Sequence, residues 1–171
     1  MNYLRHIYIN GVRQVFLLFI LVSFFASTVV FGQEPPPRPA VVTPTAQGLS
    51  FGTFSQGAAG GTVIVPASGL RTATGDVILL NVNPVYSPAI FDVVGNPGTM
   101  LSILVWPAAV LSGPGSMTLQ ISTIYPSPFI ITTTPPLSTL MYIGGVLTVS
   151  SPGSNPPGIY SGTFNITFVQ E

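Results

Sequence analysis

The sequence predicts an all-β fold, an antiparallel sandwich or barrel of roughly eight short strands. Three observations carry that expectation. Beyond Leu49 apolar residues recur at every second position, and glycine and proline turns break the chain at short intervals. Outside the amino-terminal stretch, no segment places apolar residues at the three-and-four spacing of a helical stripe.

The amino end predicts export. Arg5 and Arg13 precede Val15 to Phe31, seventeen residues without a charge, which is the pattern of a secretory signal peptide over residues 1–32. Val30 and Gly32 place small residues for cleavage before Gln33, with Ala26 to Thr28 as the second choice. The stretch also approaches the ~20 residues of a membrane span, so an uncleaved anchor is the alternative. No second apolar run of that length follows, and no membrane span is expected after cleavage. The expected location is the periplasm, the cell surface or the extracellular space. The chain has no cysteine, so a lipid anchor on cysteine and a disulfide framework are both excluded.

Residues 33–48 (QEPPPRPAVVTPTAQG) form a proline-rich linker. Pro35, Pro36, Pro37, Pro39 and Pro44 have no backbone donor and a fixed φ, which favours an extended polyproline-type spacer. Within it Ala40, Val42, Pro44 and Ala46 alternate with Pro39, Val41, Thr43 and Thr45. That half of the linker has the pattern of a sheet-edge or donor strand, although Pro44 removes one ladder donor.

Residues 49–171 supply one domain of 123 residues, enough for a core without staples. Val77 to Val82 (VILLNV) and Met100 to Trp106 (MLSILVW) are apolar at nearly every position, as in central strands covered on both faces or strands at a subunit contact. Met117, Leu119 and Ile121 alternate with Ser116, Thr118, Gln120 and Ser122; Leu147 and Val149 alternate with Thr148 and Ser150. The clearest strand is the last, where Tyr160, Gly162, Phe164, Ile166 and Phe168 alternate with Ser161, Thr163, Asn165 and Thr167. Turns are expected at Thr74-Gly75-Asp76, Gly95 to Gly98, Ser112 to Gly115, Gly144-Gly145 and Ser151 to Gly158. Pro107 and Pro114 disqualify Ile103 to Leu111 as a helix.

The chemical inventory argues against catalysis. The chain contains no lysine, and its single histidine, His6, lies in the signal. After cleavage before Gln33 the charged residues are Arg38 and Arg71 against Glu34, Asp76, Asp92 and Glu171, two positive and four negative, or net minus two. Acid–base and nucleophilic mechanisms lack their usual groups, no serine has a base, and no cofactor is expected. Nucleic acid is excluded as a partner, because phosphate neutralisation needs clustered Lys and Arg. Asp76 and Asp92 are read as turn-capping residues or partners of Arg71 in preference to calcium ligands. Arg71 is expected to hold a carboxylate or turn carbonyls. Trp106, Tyr86, Tyr125, Tyr142 and Phe129 are candidates for a sugar-stacking platform, with Trp106 and Phe129 more often core residues.

Several blocks carry a resemblance. Leu49 to Phe54 (LSFGTF), Gly60 to Val63 (GGTV), Arg71 to Val77 (RTATGDV), Phe91 to Gly95 (FDVVG), Ile143 to Val149 (IGGVLTV) and Gly158 to Phe164 (GIYSGTF) resemble, in order and spacing, the bacterial secreted family catalogued as domain of unknown function 4402. That resemblance implies an exported antiparallel immunoglobulin-like, pilin-like β-sandwich of about seven to nine strands. The Gly-x-Tyr-x-Gly-Thr-Phe ending is also similar to the last strand of spore-coat-U-like and archaic chaperone–usher pilins. The chain departs from those pilins in having no cysteine pair and a proline-rich amino segment.

The function expected from these readings is non-catalytic: a secreted or cell-surface structural or adhesive component, a self-contained sandwich on a linker in preference to a pilin-like subunit that assembles by donor strand. The alternative is a monomeric secreted module that binds glycan or protein. Partners would be further copies of the chain or other surface proteins. The candidate donor strand is Ala40, Val42, Pro44 and Ala46, and the candidate groove is the last-strand face of Tyr160, Phe164, Ile166 and Phe168.

Overall fold

Where apolar and hydroxyl side chains alternate, the backbone extends and pairs, and the longest strands are β3 (Phe54–Val65), β9 (Ser116–Tyr125) and β11 (Thr139–Val149). A computed structural model describes residues 38–171; the expected signal peptide and the first part of the linker lie outside the described residues. The other strands are β1 (Val41–Pro44), β2 (Ser50–Phe51), β4 (Thr72–Leu79), β5 (Tyr86–Ser87), β6 (Ala89–Val94), β7 (Met100–Val105), β8 (Ala108–Ser112), β10 (Phe129–Ile130) and β12 (Thr167–Gln170). The described residues are thus all-β, with twelve strands in antiparallel sheets and no helix. The count exceeds the seven to nine expected partly because three two-residue pairings, β2, β5 and β10, count as strands.

Strand β11 organises the seven-stranded sheet. Along one side it pairs with β9 through Tyr142 to Thr148. Along the other it meets two strands end to end, β6 through Thr139 to Ile143 and β3 through Gly145 to Val149. The exchange falls at Gly144, where a Cβ would lie 2.4 Å from the Ala67 nitrogen and the Val65 oxygen. Only glycine fits so close to another backbone. The glycines expected to form turns at Gly144-Gly145 and at Thr74-Gly75-Asp76 instead lie inside β11 and β4, at register irregularities of the ladder. Beyond these strands lie β8 on β9, β1 on β6 and β4 on β3. A second sheet runs β10-β7-β12, and β2 pairs with β5.

One buried cluster takes side chains from both larger sheets. Val63, Val93, Leu119, Ile121, Met141, Ile143 and Leu147 come from the seven-stranded sheet, and Leu101 and Phe129 from the three-stranded one. Each such side chain stabilises the fold by about 1.5–3 kcal/mol through removal from water. In β9 the burial pattern alternates through Ser116 to Ser122, with Met117, Leu119 and Ile121 inside. On the outer face the pairing brings Thr118, Thr148, Thr62 and Thr74 into one rank across four strands. Hydroxyl groups there present a polar surface where charges are scarce.

Two apolar runs have one open face. Val77–Leu79 belongs to β4, which ends the sheet instead of crossing its middle, and Ile78 is 65% exposed. In β7, central in its own sheet, Leu104 is also exposed. A continuous apolar run specifies two faces that tolerate burial; whether a second layer covers them is decided elsewhere in the chain.

Candidate functional site

The last-strand segment alternates in burial as its sequence does, yet much of it has no ladder. Tyr160, Phe164, Ile166 and Phe168 are half-buried and pack on the core, while Ser161, Thr163, Asn165 and Thr167 are exposed. Regular pairing is confined to β12, which bonds with β7 on one side only. At the other end Ser161 forms a single bridge to Ser112 through two backbone hydrogen bonds of 2.8 and 3.0 Å. Among the described residues, nothing pairs with the backbone of residues 162–166. Extended backbone of that kind retains donors and acceptors for an added strand.

The segment begins beside a cleft of about 650 Å³. Phe51, Leu111, Met117, Leu147, Pro156 and Tyr160 line it, a mainly apolar set without an ionisable group except the tyrosine hydroxyl. That hydroxyl donates to the Pro156 carbonyl at 2.7 Å. Beneath the neighbouring loop, Asn155 is 1% exposed. Its side chain accepts from the Ser150 N–H at 2.6 Å and donates to the carbonyls of Ser116 and Ser154. One amide thereby ties the proline-rich loop of residues 151–158 to the start of β9.

The amino segment runs along the other open edge. Val41–Pro44 pairs antiparallel with β6, Thr43 opposite Asp92 and Pro44 opposite Phe91. Ala40 and Val42 are half-buried against the core, whereas Pro44 and Ala46 are exposed. The Ala40 N–H donates to the Gln170 side-chain oxygen at 2.8 Å, and Phe91 meets Phe168 edge-on with ring centroids 6.2 Å apart. These two contacts join β1 and β6 of the large sheet to β12 of the small one. The structure therefore brings the candidate donor segment to the carboxy-terminal end of the last strand, with the unpaired residues 162–166 toward the strand's other end.

The remaining candidates separate. Arg71 is buried, and its guanidinium donates to three carbonyls, Phe51 at 2.7 Å, Thr53 at 3.1 Å and Leu80 at 2.8 Å. Its partners are thus carbonyls rather than Asp76 or Asp92. The Asp76 carboxylate accepts from the Ala59 N–H at 3.4 Å over the glycine-rich bulge of β3, and Asp92 accepts from the Ser138 hydroxyl. Phe129 is core, but Trp106 is 42% exposed. Tyr125 and Tyr142 pair on the outer face at 6.3 Å, and Tyr86 lies under Arg71. No shared aromatic platform results. Sequence reasoning missed Asn155, whose only signal was its place in a proline and glycine turn.

Among the described residues no group of three His, Cys, Asp or Glu side chains could hold a metal ion, and no helix is long and apolar enough to cross a membrane. The family model described as "domain of unknown function (DUF4402)" matches residues 41–169. That range begins at the first residue of β1 and ends within β12. No curated protein and no solved structure matches the chain.

Proposed function

We propose, from the premise that this chain belongs to the DUF4402 family, that it is a non-catalytic exported surface component that assembles by strand addition beside its last strand. One observation carries this reading. Residues 163–166 keep the alternating burial of a strand, and residues 162–166 have no backbone hydrogen bond among the described residues, although Gly162 lies close to Val110 and Leu111 of β8. Their apolar side already contributes Phe164 and Ile166 to the core, so an incoming strand finds its register against an ordered template. The incoming strand brings main-chain donors and acceptors to the open edge and apolar side chains to the cleft beside Tyr160. This is the pilin-like form of the fold, an immunoglobulin-like sandwich with one edge left for a partner. The partners are further copies of the chain or other exported surface proteins. The cell surface and its surroundings are its setting, in keeping with the amino-terminal signal pattern.

Ala40–Ala46 is not free for that role within its own chain, because β1 already lies along β6. The donor is then a segment from another molecule. The experiment compares the exported chain with a Thr163→Pro, Asn165→Pro double variant by analytical sedimentation and amide hydrogen exchange. Both altered side chains are exposed, so the fold should survive, as checked by circular dichroism. The expected result is assembly in the parent, with slowed exchange at residues 162–166, and loss of assembly in the variant. Equal sedimentation of the two folded proteins overturns the proposal.

A further inference from the structure

The cleft beside Tyr160 reaches the core. Phe51, Met117 and Leu147 form its buried wall, and Ile159, 90% exposed, continues the apolar lining out to solvent with Pro84, Pro152 and Pro157. Its volume of about 650 Å³ falls within the roughly 300–1,000 Å³ of small-molecule sites. Water against the buried wall lacks the roughly 2–4 polar partners that hold an internal water in place.

The lining is fixed from behind. The Arg71 guanidinium holds the carbonyls of Phe51 and Thr53, and Asn155 ties the proline-rich loop to Ser150 and Ser116. The Gln56 amide donates to the Asn155 carbonyl and joins these two anchors. Bonds of this kind also occupy the polar side chains of the lining. The Ser50 hydroxyl donates to the Val85 carbonyl, Thr53 to that of Asn83 and Tyr160 to that of Pro156. The Ser55 and Ser161 hydroxyls that remain belong to exposed residues, and no Asp, Glu, Lys, Arg or His lines the cleft.

We propose that this cleft binds an uncharged small molecule by its alkyl chain. A charged guest finds no counter-charge on the lining, and leaving water then costs more than burial returns. A sugar ring would set its hydroxyls unpaired against Phe51, Met117 and Leu147, which carries the same kind of penalty. An alkyl chain has no hydrogen bonds to lose. Each methylene it buries tightens binding about fourfold, the ratio that corresponds to about 0.8 kcal/mol. Walls already held in place spare the guest the cost of ordering a flexible pocket. The site goes beyond strand addition at residues 162–166, because the guest needs no second chain; a neighbour's side chain and the guest compete for one space.

Methionine methyl NMR on the exported chain tests this. Met117 lines the cleft, whereas Met141, buried in the same core, does not. The probes are 1-butanol, 1-hexanol and 1-octanol, with octanoate as the charged counterpart and glucose as the polyhydroxylated one. The expected result is a saturable shift of the Met117 methyl signal with Met141 unmoved, affinity rising about fourfold per methylene along the alcohols, weaker binding of octanoate than of octanol, and no shift with glucose. A Met117 signal that octanol does not shift saturably, an affinity independent of chain length, octanoate binding as tight as octanol, or a response to glucose overturns the proposal. The titration is repeated on the Thr163→Pro, Asn165→Pro variant, in which no neighbour fills the cleft, and that result decides where the parent assembles. Sedimentation reads assembly and Met117 reads the guest, so either proposal can fail while the other stands.

Discussion

Arg71 lies over Tyr86, its guanidinium carbon 5.1 Å from the ring centroid. The same guanidinium donates to the carbonyls of Phe51, Thr53 and Leu80, and only 8% of the residue is exposed. A buried cation is costly unless dipoles or charges surround it. Here three carbonyl dipoles and one ring face do so, and they tie β2 to the start of β3 and the end of β4. Removing the guanidinium leaves carbonyls in a partly dry site without donors.

Arg71→Ala should therefore destabilise the fold by about 2–4 kcal/mol, summing a lost charge-assisted set and the unsatisfied acceptors. Arg71→Lys should recover part of that loss, because one ammonium cannot reproduce a planar fork that serves two sides. Urea denaturation midpoints of the parent and the two variants test this. A midpoint for Arg71→Ala equal to that of the parent would show that water replaces the guanidinium at no cost.

Asn155 makes the second prediction. Its amide nitrogen faces two carbonyls and its oxygen faces the Ser150 N–H. Asn155→Asp keeps the size but turns the donor into an acceptor against Ser116 and Ser154. Asn155→Ala removes both halves. Each should cost about 2–3 kcal/mol, with the aspartate variant at least as damaging because a charge is added at a buried site. Thermal melts above neutral pH, where aspartate is ionised, check the order.

How much of this was legible depends on what lies beside each strand. The alternation at Ser116 to Ser122 was readable because one face meets the core and the other meets water. Val77 to Val82 was ambiguous because an apolar run looks the same whether a layer covers it or solvent does. The last strand read correctly in its side chains, since Phe164, Ile166 and Phe168 do face inward. Its missing ladder was not readable, because hydrogen-bond neighbours come from distant segments. Arg71 was visible as the lone base of the domain, and its carbonyl partners were one of the two outcomes expected. Asn155 was hidden, because asparagine in a turn usually serves its own loop, and here it reaches back to Ser116.

The threonine rank gives a prediction about cross-strand coupling. Thr62 and Thr74 hydroxyls lie 2.6 Å apart on the outer face. A double-mutant cycle with Thr62→Val and Thr74→Val should give a coupling of about 0.2–1 kcal/mol, the usual range for such pairs. Valine suits a strand, so each single variant should remain folded. The double variant should be less soluble, because hydroxyls supply much of the polarity on a face with few charges. Chemical denaturation measures the coupling, and precipitation with ammonium sulfate measures the solubility.

The strongest structural prediction concerns Gly144. Strand β11 exchanges β6 for β3 on one side at this residue, and its register with β9 shifts between Gly144 and Gly145. Three neighbours converge there, so the backbone approaches Val65 and Ala67 more closely than any side chain permits. The two nearest obstructing atoms are backbone, at the end of β3 and just after it, and the third is the Thr123 hydroxyl oxygen at 2.5 Å. Relief would require moving β3, which carries Val63 and Val65, both fully buried. Overpacking of a core typically costs about 1–3 kcal/mol when side chains can adjust, and here the nearest obstacles are backbone atoms. Gly144→Ala should therefore exceed that range and leave little folded protein. Gly153→Ala is the matched control, because nothing lies within 4 Å of the added carbon there. Parallel expression and thermal melts decide the matter: a Gly144→Ala protein as stable as the Gly153→Ala control would mean that β11 passes β3 with more room than its geometry gives.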